Sequence, residues 1–235
     1  MTSRKGDPLS DLVDLRQKTR VFRDRAHAGE ALAHLMDAWR GTNALVLAVP
    51  CGGVPVAVEL ARRLGLELDV APVAKMTPPG NTEIGYGAVA FDGTVRVNVP
   101  AREALGITEA DHEASLARAR EKVGGELAAL REGRPLPELR HRPIIVVDDG
   151  IASGFTLEAA IEALKKAGAA AILLATPTGH SEALRRLGTE VNAVYCANIR
   201  SGGKFAVAEA YQNWTDVTLE EAKEQLRGHA ESGKT

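Results

Sequence analysis

The chain has 235 residues, of which 45% are hydrophobic, and its 29 basic and 31 acidic side chains leave a formal net charge of -2. A chain of this length and composition can bury a full core as a globular protein. The near balance of charge gives no general attraction to nucleic acid or to an anionic membrane, since both depend on concentrated positive charge.

Secretion and membrane insertion are also not expected from the sequence. The two cysteines, Cys51 and Cys196, are too few for a disulfide framework, and the charged N-terminal region lacks the pattern of a signal peptide. The apolar stretches are interrupted well short of the ~20 residues that a membrane span needs. We therefore expect a cytoplasmic protein in a reducing setting, with no nucleic-acid or membrane partner.

The first part of the chain predicts a charged arm followed by a strand, a loop and a helix. Residues 1–25 have few periodic apolar positions and predict a mobile arm, whereas residues 27–39 have helical spacing, with Asp24 as the cap. Residues 44–49 are almost all apolar and predict a strand buried on both faces. A glycine-rich turn and a second helix follow this strand.

The middle of the chain predicts a strand, a loop, a hairpin and a long helix. Residues 68–74 predict the strand, which ends at Lys75, and residues 76–86 predict a loop rich in proline, glycine and polar side chains. Residues 88–99 predict a hairpin, because Asp92-Gly93 suits a two-residue turn. Thr108 is the expected cap of a charged helix that reaches about residue 131 and lies at the periphery.

The last part of the chain continues the alternation of strands and helices. Residues 144–147 form the most apolar predicted strand, and residues 157–167 the helix after it. Residues 171–175 and 191–196 predict two more strands, separated by a helix that Ser181 caps. Strands that alternate with helices predict an α/β fold with an open, mostly parallel sheet covered on both faces.

Polar and small residues concentrate directly after the strand at 144–147. Asp148 and Asp149 enter a loop of small residues that opens a helix, and two glycines allow this loop to turn tightly and approach a ligand. The N–H groups at the start of the helix, together with the hydroxyls of Ser153 and Thr156, favour a bound phosphate. The structural alternative is that the acidic pair only ends a strand and Ser153 only caps a helix.

This segment resembles the phosphoribosyl pyrophosphate (PRPP) signature of the type I phosphoribosyltransferases. Nearly the whole chain is similar to uncharacterised bacterial proteins called predicted phosphoribosyltransferases. The resemblance implies a type I phosphoribosyltransferase fold with a small hood, and it implies that Asp148 and Asp149 hold the ribose hydroxyls, one of them through Mg²⁺. It further implies that the 5-phosphate lies against the loop that follows, which consists of Gly150, Ile151, Ala152, Ser153, Gly154, Phe155 and Thr156.

A second loop, Cys51-Gly52-Gly53, resembles the pyrophosphate loop of the family, although a bare pair of glycines is also typical of a plain strand-to-helix turn. The similar bacterial proteins usually have arginine where this chain has Cys51. Because a neutral thiol cannot donate the two charge-assisted hydrogen bonds of arginine, we expect weaker binding of pyrophosphate here. Ala74 is a further departure, since relatives commonly carry a basic pair at this position and the next.

The resemblance also assigns roles around Lys75. Lys75 is a candidate contact for the departing pyrophosphate, and the alternative is a solvated lysine at a strand end. Residues 77–86 match in placement the flexible loop that closes over PRPP and excludes water. Glu83 and Tyr86 lie on this loop and are weaker candidates, since such side chains are commonly solvated.

The resemblance thus implies an enzyme that uses Mg²⁺ and transfers 5-phosphoribosyl from PRPP to a nitrogenous acceptor such as a nucleobase, with release of pyrophosphate. We expect a single domain over 1–235, with a core at about 41–196 and a hood from 1–40 and 197–235, and the family is compatible with a homodimer. Two alternatives stay open. One is a sensor of PRPP or a nucleotide without turnover, which Cys51 and Ala74 favour, and the other is a phosphoacceptor receiver domain, whose acidic pair would follow the first strand.

Overall fold

The computed structural model describes residues 9–81 and 84–232, in which strands alternate with helices except between residues 67 and 131, where four strands and then two helices follow one another. The strands are β1 (Leu9–Asp11), β2 (Leu45–Ala48), β3 (Glu67–Val70), β4 (Val73–Met76), β5 (Gly87–Ala90), β6 (Val95–Val97), β7 (Pro143–Val147), β8 (Ala171–His180) and β9 (Ala193–Arg200). The helices are α1 (Arg25–Leu35), α2 (Gly53–Leu64), α3 (Val99–Ala104), α4 (Glu109–Arg131), α5 (Phe155–Lys166), α6 (Ser181–Gly188) and α7 (Leu219–Ser232).

Six of these strands form one parallel sheet, in the order β1-β9-β8-β7-β2-β3. Every residue of β2 is buried, as expected for an interior strand whose sheet is covered on both faces. The prediction of a mostly parallel α/β sheet is confirmed. Ala48 at the end of β2 lies opposite Val147 at the end of β7, so the loops after these two strands start side by side.

A separate antiparallel sheet contains β4, β5 and β6. The prediction of one strand over 68–74 is wrong, because β3 ends before Pro72, which has no N–H to donate to a ladder, and β4 begins after it. Lys75 consequently lies in β4 of the antiparallel sheet and does not end a strand of the parallel sheet. The predicted hairpin is confirmed, with Gly93 at φ +89 in its turn.

The segment before α1 belongs to the fold. β1 pairs with β9 at the edge of the parallel sheet, and Phe22 forms an isolated parallel bridge with Tyr211. The prediction of a mobile arm is therefore wrong for residues 9–25, while residues 1–8 lie outside the described part. Asp24 caps α1 as predicted, since its side chain accepts a hydrogen bond from His27 N at 2.8 Å.

The core has three hydrophobic clusters, and one of them joins the two ends of the chain to the sheet. This cluster contains Phe22, Tyr211 and Leu226 together with residues of β2 and α2. A second lies on the other face of the sheet, under α5 and α6, and a third lies between α4 and the antiparallel sheet. The division into a core at 41–196 and a hood stays a prediction.

Two further features of the helices bear on the predictions. Thr108 forms a capping box with Asp111 at the start of α4, as its sequence indicates. Among residues 9–81 and 84–232, no helix combines the length and the apolar character that a bilayer crossing requires.

Candidate active site

The acidic pair lies at the carboxyl edge of the parallel sheet, immediately after β7. Asp148 Oδ1 accepts a hydrogen bond from the backbone N–H of Asp149 at 2.9 Å. The loss of water around Asp148, and then the negative charge of Asp149, raise the pKa of Asp148 well above its usual range. Two carboxyl groups in this arrangement favour either a proton or a bound cation between them.

The loop after the pair is a compact turn fixed to β8. Ile151 N donates to the carbonyl O of Thr178 at 3.0 Å, and His180 N donates to the carbonyl O of Ile151 at 2.8 Å. Gly154 has φ +67, and a Cβ there would lie 2.5 Å from Leu187, so this position requires glycine. Because α5 begins directly afterwards, its first N–H groups lie at the loop, where Phe155 N donates to Ser153 Oγ at 3.5 Å.

Arg186 of α6 holds this turn in place. Its Nη2 donates to the carbonyl O of Ser153, and its Nη1 pairs with Glu158 in the first turn of α5. Glu158 also pairs with Arg96 of β6 at 3.0 Å, which links the turn to the antiparallel sheet. The sequence analysis did not identify Arg186, since its partner lies far away along the chain.

The loop after β2 lies directly against the acidic pair. A Cβ on Gly52 would lie 2.2 Å from Asp149 Oδ2, and a Cβ on Gly53 would lie 2.7 Å from the carbonyl O of Val147. Only glycine permits this approach, so the structure brings together the two loops that the sequence analysis singled out. Cys51 is half-buried, and its peptide bond with Pro50 is cis.

The charge of Cys51 follows from its surroundings. Burial, and then the negative charge of Glu126, raise the pKa of this thiol above its usual value. The thiol is therefore neutral at neutral pH, and this side chain adds no charge to the loop.

Arg25 at the start of α1 is a site residue that sequence reasoning missed. Its Nε lies 2.8 Å from Asp149 Oδ2, its Nη1 donates to the carbonyl O of Thr215 at 2.7 Å, and the residue is only 8% exposed. Its guanidinium carbon lies 3.9 Å from the ring centroid of Trp214, a cation–π contact. No local pattern reveals this contact, because it joins the two ends of the chain to the middle.

Three aromatic residues, Phe22, Tyr211 and Trp214, form a wall beside Asp149. Tyr211 donates its hydroxyl to the carbonyl O of Asp149 at 2.6 Å, and its ring centroid lies 5.8 Å from that of Phe22 and 5.1 Å from that of Trp214. Trp214 is 36% exposed, so part of its ring is accessible. Since aromatic residues make up only 4% of the chain, Tyr211 and Trp214 in such close succession are a signal that could have indicated this wall.

Residues 23–188 match the model of the phosphoribosyl transferase domain family. This span includes both loops and the acidic pair. The chain belongs to the phosphoribosyltransferase family.

Comparisons with individual proteins agree with this assignment. Two Mycobacterium tuberculosis proteins, provisionally named as phosphoribosyl transferases, are each 32% identical to this phosphoribosyltransferase-family chain over 218 residues, which is 91% of it and 49% of them. The chain thus spans about half the length of the curated relatives it matches. The solved structure of TT1426 from Thermus thermophilus is similar with a TM-score of 0.71 and 33% identity, over 87% of this chain and 97% of TT1426. The predicted type I phosphoribosyltransferase fold is confirmed.

The remaining predicted site residues of this phosphoribosyltransferase-family chain lie in and beside the antiparallel sheet. Lys75 is exposed, and its side chain packs over Gly85, where a Cβ would lie 2.7 Å from Lys75 Cδ. Glu83 lies outside the described residues. Tyr86 is fully buried beside His112, which differs from its predicted place on a mobile loop. Within the described part of the chain, its hydroxyl has no hydrogen-bond partner.

Proposed function

We propose that this protein binds PRPP and transfers its 5-phosphoribosyl group to a nitrogenous acceptor. In this reaction the bond between C1 and pyrophosphate breaks, pyrophosphate leaves with the electron pair, and the acceptor nitrogen forms the new bond to C1 while its proton passes to pyrophosphate or water. The observation that carries the proposal is the direct approach of Gly52 to the carboxylate of Asp149. Because of this approach, the loop after β2, which would hold pyrophosphate, lies next to the loop after β7, which would hold the ribose and its 5-phosphate.

The 5-phosphate would lie in the turn that ends at Gly154, against the N-terminus of α5. The N–H groups at this helix end carry partial positive charge, and Ser153 and Thr156 add hydroxyl donors. Ile151 and Arg186 keep the turn fixed in advance, which reduces the entropy lost when a ligand binds.

Asp148 and Asp149 would hold the ribose hydroxyls and Mg²⁺. Carboxylate oxygens are the ligands that Mg²⁺ prefers, and Arg25 is the cation that pairs with Asp149. Burial, and then the charge of Asp149, raise the pKa of Asp148, so a bound cation would favour its ionised form. Within the described residues, no three His, Cys, Asp or Glu side chains converge on one point, so substrate and water would complete the coordination. Bound Mg²⁺ would supply positive charge to stabilise the departing pyrophosphate.

The pyrophosphate would face Cys51, Gly52 and Gly53. Glycine at the second and third of these positions lets backbone N–H groups come close to phosphate oxygens. Lys75 stays a candidate for an additional contact, because its side chain is exposed.

The acceptor would bind on the accessible face of Trp214. A flat, nitrogen-containing ring such as a nucleobase can stack on an indole, and this ring lies beside Arg25, whose guanidinium contacts Asp149. The acceptor nitrogen would thereby lie on the side of the sugar that faces the aromatic wall. Location in the cytoplasm and assembly as a homodimer stay predictions.

A second candidate function is a sensor that binds PRPP or a nucleotide without turnover. Two observations favour it. Arg25 already neutralises Asp149 at 2.8 Å, and Cys51 leaves the pyrophosphate loop without a charged side chain of its own. A receiver domain explains neither the glycine-rich turn nor its contact with the second loop.

The test is to incubate the protein with PRPP, Mg²⁺ and a panel of nucleobases and to measure pyrophosphate release and melting temperature. We expect PRPP to raise the melting temperature, since a ligand that binds only the folded state stabilises it. Release of pyrophosphate with one acceptor supports the transferase. Stabilisation without release for any acceptor supports the sensor, and no stabilisation at millimolar PRPP contradicts both.

A further inference from the structure

A groove of about 540 Å³ lies along the outer edge of β3. Leu66, Glu67, Leu68 and Asp69 line it in unbroken succession. Since successive side chains of a strand point to opposite faces, a groove lined by consecutive residues lies along the backbone edge of the strand. β3 is the last strand of the six-stranded sheet, so no described strand pairs with this edge.

The pairing of β3 with β2 shows which backbone groups of β3 point to the groove. Ala71 N donates to the carbonyl O of Ala48 at 2.8 Å, so the backbone groups of residues 67, 69 and 71 are directed to β2. The direction alternates along a parallel strand. The N–H and carbonyl groups of Leu68 and Val70 are therefore directed to the outer edge.

Leu68 and Val70 differ in what these outward groups contact. Val70 N donates to Asp69 Oδ1 at 2.6 Å, and the carbonyl O of Val70 accepts from Arg131 Nη2 at 2.9 Å. Within the described part of the chain, the N–H and carbonyl O of Leu68 have no hydrogen-bond partner. A further strand cannot pair along this edge, because the groups of Val70 are already occupied. One donor and one acceptor side by side suit a small molecule instead.

The charged side chains that line the groove differ in whether they have a partner. Among residues 9–81 and 84–232, Arg134 has no ion-pair partner, and its Nε donates to the carbonyl O of Arg131 at 3.2 Å, which fixes it at the end of α4. An anionic group on a ligand would meet this guanidinium, whose charge is not offset. The others are paired: Arg62 with Glu59 at 2.8 Å, Glu67 with Arg142 at 2.7 Å, and Asp69 with Arg131 at 3.0 Å.

The groove is separate from the acidic pair. α2 begins at Gly53 in the loop after β2, and the last residues of this helix line the groove, so the two places lie at opposite ends of 12 helical residues, about 18 Å apart. Ala61 and Leu226 give the groove apolar walls. Its volume lies within the range of about 300–1,000 Å³ that is usual for small-molecule sites.

We propose that this groove binds a nucleoside 5-monophosphate whose base carries a lactam, that is, a ring N–H next to a ring carbonyl group. The ring N–H would donate to the carbonyl O of Leu68, and the ring carbonyl would accept from the N–H of Leu68. The phosphate would pair with Arg134. Such a site is independent of the transfer reaction proposed above, and it would serve an effector.

The test is calorimetric titration of the full chain and its variants with inosine 5-monophosphate, whose base carries this lactam. Arg134→Gln should weaken binding by about fivefold, the size of one exposed charged contact. Ala230→Leu, which fills the exposed rim of the groove, should weaken it as well. Arg120→Gln removes an exposed cation that does not line the groove and is the matched control, with unchanged affinity.

A second ligand tests the contact with Leu68. The derivative 1-methylinosine 5-monophosphate lacks the ring N–H and would leave the carbonyl O of Leu68 unpaired, so it should bind at least about tenfold more weakly. Equal affinities for inosine 5-monophosphate and this derivative would overturn the pairing with Leu68.

A nucleotide also suits the acidic pair, and Asp149→Asn separates the two sites. Binding in the groove should survive Asp149→Asn and should weaken in both Arg134→Gln and Ala230→Leu. Binding that Asp149→Asn weakens and the two groove variants leave unchanged would place the nucleotide at the acidic pair, which overturns the groove site while the proposed function stands. Absence of binding to Asp149→Asn at millimolar inosine 5-monophosphate would overturn the groove site too.

Discussion

The two loops that meet at Asp149 are built differently. The loop after β7 carries its acidic pair, its glycines, its hydroxyls and a helix start in one continuous segment. The loop after β2 carries two glycines and a neutral thiol, and it has no charged side chain between Pro50 and Pro55. The contrast teaches that one loop can carry all its polar and charged groups in one stretch of sequence, whereas the neighbouring loop depends on other parts of the fold for any charge.

The largest expected effect tests the local half of this comparison. Asp149→Asn removes a candidate ribose or Mg²⁺ ligand and the partner of Arg25, so PRPP affinity should fall by about thirtyfold or more, or roughly 2 kcal/mol. Calorimetry with PRPP and Mg²⁺ measures this loss. Asp37→Asn, at an exposed aspartate, is the control and should bind normally. Equal affinities for both variants would show that the sugar-phosphate site lies elsewhere.

The contact between the two loops can be broken directly. Gly53→Ala places a Cβ 2.7 Å from the carbonyl O of Val147, which cannot move without disturbing β7. We expect the free energy of unfolding to fall by about 1–3 kcal/mol and PRPP binding to weaken. Gly124→Ala is the matched control, since its Cβ meets nothing within 4 Å and alanine should stabilise α4 by up to ~1 kcal/mol. Denaturant titrations that rank the two variants in the opposite order would contradict the close approach.

Cys51→Arg tests the tertiary half of the comparison. A guanidinium on the loop should tighten PRPP by about tenfold through a charge-assisted contact. Calorimetry together with pyrophosphate release then separates two outcomes, because tighter binding with new turnover indicates a weakened transferase and tighter binding alone indicates a sensor. Weaker PRPP binding by a well-folded variant would mean that this loop does not face pyrophosphate.

The smallest expected effect is on the pH dependence of stability. Burial raises the pKa of Glu126 in the folded protein, so ionising this carboxyl opposes folding. As pH rises from about 4 through the raised pKa, the wild type should lose stability relative to Glu126→Gln. At pH 7 the variant should melt at most about 2–4 °C higher, the shift that 1 kcal/mol produces in a domain of 150–250 residues. If the melting temperatures of the two proteins differ by the same amount at pH 4 and at pH 7, the raised pKa of Glu126 is contradicted.

Local sequence patterns predicted most of the sheet and the loop after β7, because strand, turn and helix cap lie next to one another there. Residues 68–74 were wrongly predicted as one strand, since apolar residues lie on both sides of Pro72 and the pattern gives no sign that two strands meet there. Arg25 and Trp214 could not be assigned from the sequence, because their contacts form only when both ends of the chain return to Asp149.

The stacking of Arg25 on Trp214 gives the protein an optical reporter. The chain has two tryptophans, and Trp39 is engaged elsewhere by a hydrogen bond from its Nε1 to the hydroxyl of Tyr195 at 3.0 Å. A compound that draws Asp149 away from Arg25, or that stacks on the accessible indole, changes the surroundings of Trp214 alone. A Trp39→Phe variant would therefore contain a single tryptophan, at the site, so that unlabelled candidate acceptors could be ranked by tryptophan fluorescence before any turnover is known.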